Sequence, residues 1–274
     1  MSSILTNNAA MVALSTLNMV NRGLNETQNR VSSGLQIRSG KENAAFFAIS
    51  ETMKGDSGMF KAINEGMTAT RNSVATARLG AETVNDLAQE IVERIAFAQS
   101  DGINVADVQS ELTALTDNMQ SAIDQATFNG NDLVGAAAAA QTVVTGITRA
   151  GGTFATTTIT FNSVDLQAIQ TALAAIDLTT SADLEADLVT AEGQLQAAID
   201  ASTSLGVTER TLEGQMQFLD SLTDTLDSGV SSLVDADMEE EAARLQAYQV
   251  QQQLATQSLS IANQSPQNIL SLFR

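Results

Sequence analysis

Two stretches of this chain hold residue types that could do chemistry. "GLQIRSGKE" (Gly34–Glu42) orders glycines and a lysine like a phosphate-binding loop, and "DADMEEEA" (Asp235–Ala242) masses carboxylates like a calcium loop. Both fail on spacing. A phosphate loop sets four residues between its glycines and a Ser or Thr after the lysine, to place a hydroxyl on Mg²⁺. Here five residues intervene, Glu42 follows Lys41, and no β-prone run precedes. The acidic stretch lacks the sixth-position glycine of a calcium loop, and its twelfth residue is Gln246. The simpler assignments are a glycine-bearing joint between two helices, and acids in the first turn of a helix beginning near Asp235 or Asp237. The helix dipole favours negative charge there.

The rest of the inventory points away from catalysis. The chain has no Cys and no His, so thiolates, the commonest metal ligand and the commonest acid–base group are all missing. A ferritin-like dimetal bundle would require Glu-x-x-His pairs. Paired carboxylates for glycoside chemistry would lack an aromatic platform, since there is no Trp and only Tyr248. We expect no catalytic, cofactor-binding or metal residues.

Partners are bounded by charge. The net charge of -19 is spread unevenly: residues 1–100 balance nine acids with nine bases, whereas residues 101–200 carry thirteen acids and only Arg149. Phosphate backbones are bound by clustered Lys and Arg, so neither nucleic acid nor an anionic membrane is an expected partner. No window of about 20 residues is apolar enough to span a bilayer. The first residues do not form a secretory signal, because a basic start is missing and Asn7, Asn8, Ser15 and Asn18 interrupt the apolar run.

The elements are written in heptads. Val105, Val108, Leu112, Leu115, Met119, Ala122 and Ala126 alternate three- and four-residue steps, the seam of one helix. Leu212, Met216, Leu219, Thr223, Leu226, Val230 and Leu233 make a second. Val84, Leu87, Ile91, Ile95 and Ala98 make a third, late in a helical stretch reaching back to about Ala44. Asp101-Gly102 and Asn129-Gly130 are turn signals between helices. The ends follow heptad spacing too: Ala10, Leu14, Leu17, Asn21, Leu24, Gln28, Val31 and Leu35 at one terminus, and Ala247, Val250, Leu254, Gln257 and Ile261 at the other. Residues 245–273 carry no charge, and a helix without a charged face is covered by other protein. Pro266 is expected to stop or kink that last helix. The centre differs: Thr156–Phe161 alternates, and Gly151-Gly152 separates two β-prone runs, which predicts a hairpin.

The fold class is therefore mainly α: an elongated antiparallel helical bundle with paired terminal coiled-coil helices and a small β-hairpin insertion. The expected division is 1–43, N-terminal helix and joint; 44–135, first half of the inner bundle; 136–184, an outer insertion with the hairpin; 185–234, second half of the bundle; and 235–274, C-terminal helix.

Three segments carry a family resemblance. "RVSSGLQIRSGKENAA" (Arg30–Ala45), "ATFNGNDLVG" (Ala126–Gly135) and "LVDADMEEEAARLQAYQVQQQLATQSLSIANQSPQNILSLFR" (Leu233–Arg274) resemble the matching segments of bacterial flagellins, especially short alphaproteobacterial ones. The resemblance implies a homopolymer: a structural subunit of the flagellar filament, exported through the flagellar secretion system without a cleaved signal and placed outside the cell. It implies a flagellar cap, hook-associated proteins and an export chaperone as partners. It implies terminal helices that polymerise, through Ile4, Leu5, Leu14, Leu17, Leu24, Val31, Val250, Leu254, Ile261, Ile269, Leu270, Leu272 and Phe273. The alternatives are a hook–filament junction protein, which shares the terminal helices, and a surface adhesin with the Thr-rich centre as its binding part. Hydroxyls of Thr156, Thr157 and Thr158 could accept glycans. Many flagellins also meet a host receptor through an arginine on the first core helix. In the matching stretch "QEIVERIAFAQ" (Gln89–Gln99) that position falls on Glu90 or Ile91.

Overall fold

Asn7 begins the first helix by accepting the Ala10 N–H on its side-chain oxygen at 3.1 Å, a cap that satisfies one orphan donor. The helix that follows, α1 (Asn8–Ser33), ends where Gly34 takes φ 71 and returns its N–H to the Arg30 carbonyl at 2.8 Å. A left-handed residue closes a helix at little steric cost only if it is glycine. The computed structural model describes residues 7–135, 138–149 and 153–272, with side chains through residue 264. The chain folds into two compact units, residues 1–56 with 225–274, and residues 57–224. The unit boundaries fall inside two long helices, α2 (Ala44–Ala98) and α5 (Leu184–Val234).

In the first unit, α1 pairs antiparallel with α6 (Met238–Leu272). Two joints meet beside that pair. The N–H of Gln36 donates to the Val234 carbonyl at 2.7 Å, and the N–H of Ala236 donates to the Gly34 carbonyl at 2.9 Å, so Leu35 and Asp235 form a short antiparallel bridge. This explains the lookalike phosphate loop. A helix precedes it, Gly34 is a helix cap, and Glu42 folds back to accept the Arg38 N–H at 2.7 Å and its guanidinium at 3.0 Å. Asn43 then caps α2 by accepting the N–H groups of Ala45 and Phe46. Asp237 caps α6 through Glu239 and Glu240, so "DADMEEEA" is a helix start.

The helix stop expected at Pro266 does not occur. Helix α6 runs through Pro266 to Leu272. A proline inside a helix supplies no N–H to the carbonyl four residues earlier, which is that of Ala262. That carbonyl accepts Nδ2 of Asn7 at 2.8 Å. A substitute donor fills the gap, and the helix continues.

In the second unit, every seventh residue of α2 is buried: Phe60, Met67, Val74, Ala81, Ala88 and Ile95, with Ala77, Val84, Ile91 and Ala98 interleaved. Helix α5 answers with Ala191, Ala198, Leu205, Leu212 and Leu219. The two are also tied by Arg78 to Glu209 at 2.7 Å and Arg71 to Glu213 at 3.2 Å. The bond that Arg78 donates to Glu209 raises the Arg78 pKa above its ordinary value. Helix α3 (Val105–Gln125) follows the Gly102 turn and buries Val108, Leu112, Thr116, Met119 and Ile123. The periodicity had chosen Leu115 and Ala122, which are half-buried. A tight hairpin of β1 (Thr127–Phe128) and β2 (Asn131–Asp132) turns at Asn129, φ 50, and Gly130, φ 77, the backbone that Asn-Gly favours.

The central hairpin forms as expected, with β3 (Ala140–Thr148) antiparallel to β4 (Ala155–Asn162) and a bulge between Val144 and Gly146. It lies against the bundle: Nε2 of Gln215 on α5 donates to the Thr145 carbonyl at 3.1 Å, and Thr145 is buried. Helix α4 (Leu166–Ala174) packs on α3, burying Leu166, Ile169 and Leu173, and Ile176 and Leu178 continue that apolar line. Part of the segment assigned from sequence to an outer insertion, from Ser163 to Leu178, thus contributes buried residues to this unit. Its hydroxyl-rich strand does not: Thr156, Thr157 and Thr158 are all exposed.

Candidate assembly interface

An uncharged helix offers apolar residues on more than one face, and periodicity cannot say which face pairs. Helix α6 shows the consequence. Toward α1 it presents Leu245, Tyr248, Gln252, Ala255, Leu259 and Ala262, in alternating steps of three and four, each buried or half-buried. The seam expected from sequence, Ala247, Val250, Leu254, Gln257 and Ile261, is a second one, and every member is exposed. Val250, Leu254 and Ile261 keep 55%, 62% and 64% of their surface in solvent.

Helix α1 divides in the same way. Val20, Leu24 and Thr27 are buried, and Ala10, Ala13, Leu17, Val31 and Gly34 are half-buried in the same stripe. Leu14, expected in the seam, is 48% exposed, and Gln28 is exposed too. Met11, Val12 and Met19 are each more than 60% exposed. Val12 and Thr16 of α1 line an open groove with Leu254 and Ser258 of α6, so the two outward faces are contiguous. Of the other expected interface residues, Ile4, Leu5 and Phe273 lie outside the described residues, as do the side chains of Ile269, Leu270 and Leu272.

The paired face is built from fitted polar and small groups. Nε2 of Gln252 donates to Oδ1 of Asn21 at 2.7 Å. The ring of Tyr248 lies so close to Gly23 that a Cβ there would stand 2.6 Å from its Cζ. Arg30 and Arg244 both reach Oε1 of Glu241, at 3.3 and 3.1 Å, and the Glu241 side chain is only 5% exposed. Sequence reasoning missed Gly23, Tyr248 and Glu241. The available signals were the single glycine within α1 and the single tyrosine of the chain.

In the other unit, Ile91 is fully buried on α2, while Glu90 faces solvent beside Arg94 at 3.8 Å. The two candidates for the receptor position are therefore a core residue and a surface residue. Among the described residues, no group of three or more His, Cys, Asp or Glu could hold a metal ion. No helix there is long and apolar enough to cross a membrane.

Residues 4–139 match the bacterial flagellin N-terminal helical region, and residues 188–273 match the bacterial flagellin C-terminal helical region. A flagellin of Brucella melitensis is 35% identical over the full length of both chains. The chain belongs to the bacterial flagellin family. Flagellin FljM of Caulobacter vibrioides is 32% identical, over 100% of this chain and 99% of that one, and flagellin C of Rhizobium meliloti is 32% identical over 100% of each. As a flagellin, the chain is a structural subunit that polymerises into the extracellular flagellar filament for swimming motility. The free faces of α1 and α6 leave Met11, Val12, Met19, Val250, Leu254 and Ile261 exposed in the single chain. Nothing favours the junction-protein or adhesin alternatives.

Proposed function

We propose that the outward seam of α6, Val250, Leu254 and Ile261 with Ala247 and Gln257 between them, is the principal polymerisation surface, joined by Leu14 of α1. The observation behind this is a complete heptad seam, exposed along a helix that carries no charge from 245 to 273. Contacts between such a face and a different face of the next copy do not close, and they propagate an open helix. Leu17, Leu24 and Val31 support the surface from beneath by fixing α1 on α6. Ile4, Leu5, Ile269, Leu270, Leu272 and Phe273 extend it. Apolar side chains of this size contribute on the order of 1.5–3 kcal/mol each when fully buried.

The experiment is seeded polymerisation of a Leu254→Glu chain, followed by sedimentation and electron microscopy. The charge stands on a face exposed in the single chain, so circular dichroism stays that of the wild type while filaments are lost. Normal filaments would refute the assignment. Deleting Ile269–Arg274 should likewise abolish polymerisation and leave the helical bundle folded.

In this reading the terminal helices form the coiled-coil part of the filament. The chain leaves the cell through the flagellar secretion channel without a cleaved signal. The cap, hook-associated proteins and an export chaperone are its further partners, and it has no enzyme activity. Exposed Thr156, Thr157 and Thr158 are positioned for glycans. Glu90 takes the surface position where a receptor-binding arginine is usual, and losing a central arginine costs about 2 kcal/mol or more. A reporter-cell assay should show weak activation by the monomer. Potency equal to that of a flagellin bearing the arginine would overturn this.

A further inference from the structure

We propose that Gly23 and Tyr248 form the notch that sets the register of α6 on α1, with Asn21–Gln252 as its polar partner. The inference rests on the polymerisation reading, because register determines which outward residues of the two helices stand side by side.

The close approach is specific. The Tyr248 ring occupies the volume a Cβ at Gly23 would take, with Cζ, Cε1 and Oη 2.6, 2.8 and 2.9 Å from that position. Gly23 is the only glycine within α1 and Tyr248 the only tyrosine of the chain. A glycine inside a helix is less favourable than alanine, so local propensity does not account for it, whereas contact with a ring does.

Competing alignments of a heptad pair are slips of seven residues. A slip of α6 in either direction brings Ala255 or Glu241 opposite Gly23, and Leu245 or Leu259 opposite Asn21. Ala255 would leave the notch empty, and Glu241 would fill it with a carboxylate. Tyr248 would meet Thr16 or Arg30, which have the side chain that Gly23 lacks. The half-buried Asn21 amide would face a leucine and lose its bond to Gln252, which is disfavoured. A single buried amide can fix coiled-coil register in this way. Apart from Glu241 between its two arginines, the rest of the seam is alanine, leucine, valine and threonine, which tolerate a slip.

The closing experiment opposes two signs. Helix propensity predicts that Gly23→Ala strengthens α1 and leaves or improves assembly. The notch predicts seeded elongation slower by about fivefold or more, the usual scale of an overpacked contact. It also predicts that the polymer finally formed shows its only tyrosine more open to acrylamide quenching. Tyr248→Phe, which keeps the ring, elongates at the wild-type rate. Gly23→Ala combined with Tyr248→Ala elongates faster than Gly23→Ala alone, since the collision is gone. Elongation of Gly23→Ala at or above the wild-type rate overturns the proposal, as does a double variant no faster than Gly23→Ala. Failure of Leu254→Glu to block filaments would instead refute the outward seam, leaving the Gly23–Tyr248 results to be judged separately.

Discussion

Asn7 and Ala262 join the two ends of the chain: Nδ2 of Asn7 donates to the Ala262 carbonyl at 2.8 Å, while Oδ1 of Asn7 caps α1 at Ala10. One side chain therefore starts α1 and supplies the donor that residue 266, a proline, cannot. Asn7→Ala removes both and should destabilise the pair by about 1–2 kcal/mol. In a Pro266→Ala background the helix bond to Ala262 returns, and the loss should shrink toward that of the cap alone. Urea denaturation of the four chains of this cycle measures the difference. Additive losses would show that Asn7 and Pro266 are not coupled.

Glu241 sits between Arg30 and Arg244 with its side chain 5% exposed, and its Oε2 has no hydrogen-bond partner. Replacing it with Gln removes the carboxylate that Arg30 pairs with, while Arg244 keeps Glu240 at 2.6 Å. A fully buried pair broken in this way costs about 3–5 kcal/mol, but Arg30 and Arg244 are 25% and 47% exposed and water screens them. The expected loss for Glu241→Gln is about 1–2 kcal/mol. A denaturation midpoint unchanged from the wild type would show that the pair contributes nothing.

Acid should loosen the joint at Gly34–Glu42. The backbone N–H of Arg38, then its guanidinium, holds the Glu42 carboxyl below its ordinary pKa of 4.5. A depressed native pKa stabilises the fold above the unfolded-state value, and that contribution is lost as pH falls through the native value. The loss therefore begins as pH drops below 4.5 and completes below the lowered pKa. Hydrogen exchange of the Arg38 amide should accelerate across that window relative to the pH trend of exposed amides. Glu42→Gln should remove the step, and a step that persists in that variant would assign it to another group.

Two glycines of α2 should respond oppositely to alanine. A Cβ at Gly80 would collide with the Ala126 Cβ, while nothing lies within 4 Å of one at Gly66. Gly80→Ala should cost about 1–3 kcal/mol by overpacking. Gly66→Ala should gain up to about 1 kcal/mol in helix propensity. Thermal midpoints moving the same way in both would contradict the close packing of α2 on Ala126.

Leu173 is 1% exposed on α4, between Ile169 and Ile176. Leu173→Ala should therefore cost about 2–5 kcal/mol. By the same reasoning, replacing all of residues 136–180 with a Gly/Ser linker should unfold part of the second unit, because five buried apolar side chains leave with it. Two-state unfolding at wild-type stability in the linker variant would return this segment to the role of a dispensable insertion.

The sequence by itself determined the helices, their turns and the family. Heptad spacing is a property of one strand of chain, so α2, α3 and α5 could be read from residues such as Val84, Leu112 and Leu219 without knowing their partners. Asn129-Gly130 and Asp101-Gly102 announced their turns because left-handed backbone requires those residue types. The tertiary structure alone decided which of two equally apolar seams on α6 meets α1. Val250 and Leu254 score no differently from Leu245 and Leu259 by hydropathy, and from residue 245 onward no charge marks either face. Only the fitted contacts, Tyr248 into Gly23, Gln252 on Asn21 and Glu241 between two arginines, break that tie. Pro266 shows the same division: its missing N–H is written in the sequence, but the Asn7 amide that replaces it comes from a residue 255 positions away from Ala262. Local chemistry names the defect, and only the packed chain brings the group that repairs it.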